Sequence, residues 1–184
     1  MKGRRWIWWV SGSVLLVALL SLALAKSRWG PSVWGFASTA LLPPLPADVL
    51  HPKSVARPEY RLRYPGNWSI LRGERPETML MIGAPGQDSV TIFLMPSVLK
   101  DSMLKTLEAS YAALIFRPRE VPFRAWGRHQ GEGKELVGRF MFMPTRIRLF
   151  VGDSFAVAEI RHESAEPLNG AGFALVADSF DPRP

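Results

Sequence analysis

The residues best suited to chemistry are one serine in a glycine-aspartate turn and the histidines. Gly152-Asp153-Ser154 resembles the turn that carries the nucleophile of a hydrolase, with His129 or His162 as the base. Glycine and aspartate are also the residues that tight hairpin turns require, and strand-like sequence flanks this segment on both sides. We therefore interpret the segment as a hairpin turn, with a hydrolase that uses Ser154 as an alternative.

Other candidates for catalysis or ligand binding lack the necessary spacing. Residues 131–134, GEGK, depart from the phosphate-loop pattern and lie between two predicted strands instead of opening a helix. His51, His129 and His162 are far apart and show no metal-ligand spacing. The chain has no cysteine, which excludes disulfides, thiolate metal sites and a cysteine nucleophile. We expect no catalytic set, no cofactor and no metal.

The net charge of +7 is concentrated at the N-terminus. Residues 1–28 hold 5 basic and no acidic side chains, which leaves 23 − 5 = 18 basic against 16 acidic ones, or +2, in residues 29–184. A nucleic-acid-binding protein presents a clustered basic face. Since most of the excess charge flanks one apolar run, we expect no nucleic-acid partner.

That apolar run, residues 6–25, predicts a single transmembrane helix. It reads WIWWVSGSVLLVALLSLALA and contains no ionisable side chain. At about 1.5 Å per residue the helix would span roughly 30 Å, the thickness of the hydrocarbon core of a bilayer. Trp6, Trp8 and Trp9 lie where an interfacial aromatic belt is expected.

The alternative for this run is a cleaved signal peptide. Residues 23–25, ALA, fit the small-residue cleavage pattern, but the run is longer than the apolar region of most signal peptides. Three basic side chains and the α-amino group precede the run and two basic side chains follow it. This bias predicts a cytoplasmic N-terminus and a periplasmic or otherwise extracytoplasmic C-terminal domain.

The chain divides into three parts. We assign residues 1–28 to the membrane anchor with its basic flanks, 29–58 to an aromatic and proline-rich interfacial linker, and 59–184 to the folded domain. The alternative for the linker is an extended spacer. We expect contacts with the membrane or a partner protein through Trp6, Trp8, Trp9, Trp29, Trp34, Phe36, Leu41 and Leu42.

Hydrophobic periodicity predicts an α+β domain. Apolar residues recur every three or four positions from Leu99 to Ile115, which predicts an amphipathic helix that ends near Phe116. A shorter helix is predicted at 169–180. Runs of β-forming residues bounded by turn residues predict strands at 60–64, 78–82, 89–95, 123–129, 135–143, 146–151 and 154–161, the fourth and fifth joined by a turn at 130–134. This order favours an antiparallel sheet covered by helices.

Two predicted strands carry paired arginines. Arg61 and Arg63 belong to the first strand, and Arg146 and Arg148 belong to a late one. If the two strands were neighbours, the four side chains would form a basic stripe for acidic protein or anionic headgroups. The alternative is a solvated sheet face on which the arginines pair with glutamates across strands.

Several short motifs in residues 59–182 resemble the PsbP-like domain. They are residues 64–68, YPGNW, at the end of the first strand, the hairpin around Pro85-Gly86, the helix after the third strand, the late hairpins, and Asp178-Ser179-Phe180. The resemblance implies the α/β/α sandwich on an antiparallel sheet that this family shares with Mog-type proteins. It also implies a non-enzymatic domain that binds other proteins, including extrinsic subunits on the lumenal side of photosystems.

Together, the anchor and the resemblance predict a non-catalytic, single-pass membrane protein that serves as an accessory or stabilising subunit of a larger membrane complex. Its partners would be integral-membrane subunits, and a photosynthetic complex is one specific case. The alternative is a free-standing periplasmic protein, released by signal-peptide cleavage, that captures a small molecule or peptide between sheet and helix.

Overall fold

A computed structural model describes residues 42–72, 79–140 and 142–183. The strands within these ranges pair antiparallel throughout, and two helices accompany them, so the expected α+β class is confirmed. In chain order the elements are β1 Lys53–Ala56, β2 Tyr60–Tyr64, β3 Ser69–Arg72, β4 Met79–Gly83, β5 Ser89–Leu94, α1 Lys100–Ala112, β6 Phe116–Trp126, β7 His129–Phe140, β8 Met143–Val151, β9 Phe155–His162, α2 Glu166–Ser179 and β10 Asp181–Pro182.

The strands form two sheets. The large sheet has the order β3-β4-β5-β9-β8-β7-β6, and the small sheet has the order β1-β2-β10. Successive side chains of a strand point to opposite faces of its sheet. On β8 this alternation places Leu149 in one hydrophobic core and the adjacent Phe150 in the other.

Each face of the large sheet is covered by one helix. On one face, Leu107 of α1 packs into a core with Leu136 of β7 and Ala158 of β9. On the opposite face, Phe173 of α2 shares a core with Tyr60 of β2, so the small sheet and α2 cover this face together. The arrangement gives two apolar cores with the large sheet between them.

The hairpin between β6 and β7 differs from the prediction. The predicted turn at residues 130–134 is wrong, because these residues lie inside β7 and the turn falls at Gly127 and Arg128. Gly127 has φ +55°, a conformation that favours glycine. Gly133 is needed for a different reason, since a Cβ there would lie 2.5 Å from the Phe123 ring. A glycine in a strand can therefore indicate close packing as well as a turn.

The first helix is shorter and the next strand longer than predicted. Helix α1 ends at Ala112, and β6 already begins at Phe116. Pro118 and Pro122 lie within β6. The large sheet ends with β6, and an edge strand tolerates proline because only one of its sides pairs with a neighbour.

The described part of the predicted linker is packed onto the domain. β1 lies within residues 29–58 and pairs with β2, while the Ala47 N–H donates to the Leu168 carbonyl over 2.9 Å. Short strands without clear alternation, such as β1, β3 and β10, were not predicted. Within the described ranges, neither helix is long and apolar enough to cross a membrane. The predicted anchor at residues 6–25 lies outside these ranges.

Candidate functional site

An open groove of about 480 Å³ lies over the small sheet. Alternation along β2 buries Tyr60, Leu62 and Tyr64 and leaves Arg61 and Arg63 exposed at the groove. The other side chains around the groove come from β1, from the turn before β7 and from the C-terminus, and comprise Ser54, Val55, Ala56, Arg128, Ser179 and Asp181. The site thus joins residues from both ends of the described chain.

Hydrogen bonds hold the C-terminal wall of the groove in place. The Ser179 hydroxyl accepts from the Arg63 N–H over 2.8 Å and donates to the Arg63 carbonyl over 3.1 Å. It thereby extends the pairing that β10 makes with β2. Arg128 Nη2 donates to the Phe180 carbonyl over 3.0 Å and to Asp181 Oδ1 over 3.2 Å. The one carboxylate of the groove lining is therefore already bound to an arginine.

Arg61 and Arg63 have no carboxylate partner among the described residues. Because they are two residues apart on one strand, their Cα atoms are separated by about 6.6 Å. An extended peptide presents every second side chain at the same spacing. The groove is therefore suited to an extended segment with alternating acidic residues.

The predicted stripe of four arginines does not form, because the two strands belong to different sheets. Arg61 and Arg63 lie on the small sheet, whereas Arg146 and Arg148 lie on the large one. Arg146 is exposed, while Arg148 lies with Nη1 3.7 Å from Glu159 Oε2. The two pairs therefore have separate environments.

A cluster of buried charges lies between the large sheet and α2, beside a cavity of about 240 Å³. Glu159 is fully buried and accepts hydrogen bonds from Trp126 Nε1 over 2.6 Å and from Arg161 Nε and Nη2 over 2.9 and 2.6 Å. Arg161 also lies 4.1 Å from the Phe173 ring and donates to Glu166 over 3.1 Å. These charged groups therefore pair with one another within the protein, while Glu166 Oε2 is buried without a hydrogen-bond partner among the described residues.

A second buried polar cluster connects three elements that are distant in sequence. Asp88 Oδ1 accepts from the His162 N–H over 2.7 Å and lies 2.9 Å from His162 Nδ1, while Asp88 Oδ2 accepts from Asn169 Nδ2 over 2.9 Å. All three residues are buried. Sequence reasoning missed this cluster because an aspartate after Pro-Gly is typical of a turn, and its partners lie more than 70 residues away.

Among the described residues, no hydrogen bond joins Ser154 to either candidate base, His129 or His162. Ser154 lies in the turn between β8 and β9, where its carbonyl accepts from the Met95 N–H over 3.0 Å. His129 Nε2 lies 3.0 Å from the Phe180 carbonyl, and His162 lies at the far end of β9 bound to Asp88. Within the described ranges no group of three or more potential ligands is placed to hold a metal ion. The Nδ1 atom of His51 lies 3.2 Å from Asp48 Oδ1.

Burial shifts the ionisation of all three tyrosines. Desolvation raises the pKa of Tyr60, Tyr64 and Tyr111 above the usual value for a phenol. For Tyr60 the nearby Arg57 guanidinium opposes the increase, and for Tyr111 a hydrogen bond with Thr91 does so. The three phenols therefore favour their neutral form in the folded protein.

The residues expected to contact the membrane are described only in part. Leu42 is within the described ranges and is exposed. The other seven, Trp6, Trp8, Trp9, Trp29, Trp34, Phe36 and Leu41, lie outside them.

No protein-family model and no curated protein matches the sequence. Among solved structures, the chain is similar to a Bacteroides thetaiotaomicron protein (TM-score 0.45, 10% identity), with 72% of this chain and 48% of that chain covered. It therefore spans about half the length of that protein. It is also similar to cyanobacterial PsbP (CyanoP) from Synechocystis sp. PCC 6803 (TM-score 0.38, 14% identity), with coverages of 72% and 92%. At these values the likeness concerns the fold alone.

Proposed function

We propose that this protein is a membrane-anchored, non-catalytic accessory subunit of a larger membrane complex. Its folded part lies outside the cytoplasm, resembles a PsbP-like domain, and binds an extended acidic segment of a partner subunit. The apolar run at residues 6–25 and the charges that flank it support the anchor and its orientation. The partner is an integral-membrane protein, because the anchor confines the domain to the membrane surface.

The observation that carries the proposal is the pair of arginines in the groove over β2. Arg61 and Arg63 are exposed and point a repeating positive charge at one surface without carboxylate partners among the described residues. Glu159 and Arg161, by contrast, are engaged with one another. The groove is thus a surface on which charge remains for another molecule.

Two alternatives have weaker support. Capture of a small molecule between the sheet and α2 would use a cavity of about 240 Å³, below the roughly 300–1,000 Å³ usual for ligand pockets. Three of the four charged side chains that line it, Arg148, Glu159 and Arg161, are already paired. A hydrolase would need a base bonded to Ser154, and among the described residues the His129 Nε2 instead lies 3.0 Å from the Phe180 carbonyl.

The proposal can be tested by extracting the full-length chain from its native membranes in mild detergent and following its partners on a native gel. We expect the wild-type chain to co-migrate with at least one integral-membrane protein. The double variant Arg61→Ala/Arg63→Ala should stay in the membrane fraction and bind the partner about tenfold less tightly, since each exposed charge contact contributes up to about 1 kcal/mol. An Asp-x-Asp-x-Asp peptide should bind the purified wild-type chain and lose affinity as salt is raised.

Lys105→Glu is the matched control, because it lowers the net charge by the same amount on an exposed site of α1, across the large sheet from the groove. It should leave partner binding and peptide binding unchanged. If the wild-type chain migrates alone in every detergent fraction, the subunit proposal fails. If both variants weaken binding equally, the net charge is responsible and the groove is not the site.

A further inference from the structure

One corner of the large sheet exposes large apolar side chains. Phe116, the first residue of β6, is 66% exposed, and Phe142, in the turn between β7 and β8, is 94% exposed. Leu114, just before β6, is exposed as well. The register places Phe116 opposite Arg139 on β7, one residue from the end of that strand. The apolar side chains therefore gather at one end of β6, β7 and β8.

Basic side chains surround this apolar group. Arg117, Arg139 and Arg146 are exposed and have no carboxylate partner among the described residues. The Arg117 guanidinium lies 5.2 Å from the centroid of the Phe116 ring. One exposed carboxylate, Glu163, lies at the same end, where its N–H donates to the Pro144 carbonyl. The positive charges outnumber it.

We call Leu114, Phe116, Arg117, Arg139 and Phe142 the basic aromatic corner. Aromatic rings next to cations characterise surfaces that lie in the headgroup region of a membrane. The rings enter the boundary between headgroups and acyl chains, while the cations bind lipid phosphates.

The first described residues lie at the same end of the large sheet as the basic aromatic corner. A Cβ on Gly86, in the turn between β4 and β5, would lie 2.7 Å from Pro44, which places Pro44 against this turn. Strand β5 starts at this end and pairs antiparallel with β9, which ends there. Strands β8 and β6 also start at this end. From β5 to β6 there are four inter-strand steps, or about 19 Å.

The position of the first described residues therefore relates the basic aromatic corner to the predicted anchor. The described residues begin at 42, and Pro44 lies at the end of the sheet that carries the corner. If residues 6–25 cross the bilayer, this end of the domain is the one that the linker holds nearest to the lipid. The opposite end, with the turn that contains Ser154, lies a full strand length further away.

We propose that the basic aromatic corner docks on the surface of an anionic bilayer, the same bilayer that holds the anchor. This inference rests on the proposed function, because it takes residues 6–25 to be a membrane anchor. Phe116 and Phe142 enter the interfacial layer, and Arg117 and Arg139 bind lipid phosphates. Docking fixes the orientation of the domain, so that the groove over β2 is presented to a partner at a defined height above the membrane.

Single-cysteine labelling tests the docking, because the natural chain has no cysteine. The full-length variants Phe142→Cys and Ser154→Cys are labelled with an environment-sensitive fluorophore and reconstituted into vesicles of phosphatidylcholine with or without phosphatidylglycerol. At residue 142 we expect a blue-shifted emission and strong quenching by spin-labelled lipid, most of all with phosphatidylglycerol present. The label at residue 154, exposed at the opposite end of the sheet, should report water in both vesicles.

Three outcomes separate the possible failures. If the chain does not float with the vesicles, the anchor is wrong and the docking proposal falls with it. If the chain floats but the label at 142 is quenched no more than the label at 154, the corner does not dock and the anchor stands. If residue 142 is shielded only in native membranes that contain the partner complex, the corner binds protein and lipid docking is overturned. Adding Arg117→Glu/Arg139→Glu to Phe142→Cys should abolish the response to phosphatidylglycerol.

Discussion

Glu159 shows how much the fold depends on single residues. Its carboxylate is fully buried, and its two oxygens accept hydrogen bonds from Trp126 and Arg161. A buried charge is tolerated only when its partners compensate for the lost hydration. Because these partners come from β6, β9 and, through Glu166, α2, the cluster also fixes how the helix lies on the sheet.

Replacing Glu159 by glutamine should therefore destabilise the protein strongly. Glu159→Gln keeps an acceptor for Trp126 but removes the negative charge that balances Arg161, whose side chain is only 12% exposed. Removing one partner of a buried ion pair costs about 3–5 kcal/mol. Equilibrium unfolding in urea, followed by near-ultraviolet circular dichroism of the chain in detergent, measures this loss.

Glu163→Gln provides the control at the residue scale. Glu163 is exposed one residue beyond β9 and has no ion pair among the described residues. Its replacement should change the free energy of unfolding by less than about 0.5 kcal/mol. Equal effects of the two substitutions would show that the cluster around Glu159 contributes no more than a surface carboxylate.

At the scale of elements, the contact between α2 and the start of the domain depends on the absence of one side chain. A Cβ on Gly172 would lie 2.6 Å from Trp68 Cζ2 and 2.9 Å from both Ala47 and Pro65. Trp68 itself packs edge-on against Phe173, with ring centroids 5.2 Å apart. The helix can approach these residues only because position 172 carries no side chain.

We expect opposite effects from alanine at two positions of α2. Gly172→Ala should destabilise the fold by about 1–3 kcal/mol, because overpacking outweighs the gain in helix propensity. Gly170→Ala should stabilise it by about 0.5–1 kcal/mol, since a Cβ there meets no atom closer than 4.0 Å. Thermal unfolding monitored by circular dichroism compares both with the wild-type chain.

Because Gly170 and Gly172 belong to the same helix, the pair separates packing from propensity. If both substitutions raise the melting temperature, the contact between α2 and Trp68 is looser than the structure indicates. Loss of stability in both would indicate that the helix needs backbone freedom at these positions.

The elements that the sequence predicted best are those whose patterns are local. The alternation of residues 60–64 and the three- and four-residue spacing of α1 correspond to β2 and Lys100–Ala112. The turn between β6 and β7 was misplaced because Gly131 and Gly133 are typical of turns, whereas aromatic rings of other strands cover them. That reason depends on the tertiary fold and is absent from the local sequence.

The sequence predicted the candidate site only in part, as it did the fold. Arg61 and Arg63 were identified because a strand pattern exposes them. Ser179, which bonds to the backbone of Arg63, lies 116 residues further along the chain. Such a partner is found only when the sheet and the helix that bring it close are known. Arg146 and Arg148, the expected neighbours of this pair, lie in the large sheet. The local sequence does not show which strands become neighbours.

At the scale of the whole molecule, the three tyrosines serve as probes of the two hydrophobic cores. Tyr60 and Tyr64 lie in the core under α2 and the small sheet, and Tyr111 packs against the core under α1. The chain has no other tyrosine. The absorbance of the ionised tyrosines therefore reports on the cores on both faces of the large sheet and on no other part of the chain.

We expect the folded protein to lose stability as the pH rises above about 10. Burial raises the pKa of each tyrosine in the folded state, so the unfolded chain releases these protons at a lower pH than the folded chain does. Above the unfolded pKa the folded state binds more protons, and increasing pH then favours unfolding. Below that pH the three phenols are neutral in both states and contribute no pH dependence.

A spectrophotometric titration checks this expectation on the wild-type chain and on Tyr111→Phe. The native midpoint should lie above the midpoint in concentrated urea, which should be near 10 as for free phenols. Tyr111→Phe should remove about a third of the absorbance change and reduce the alkaline loss of stability, because one of three shifted groups is gone. Coincidence of the native and urea midpoints would show that the phenols are solvated in the folded protein, contrary to the burial of Tyr60 and Tyr64 on which the docking of the small sheet depends.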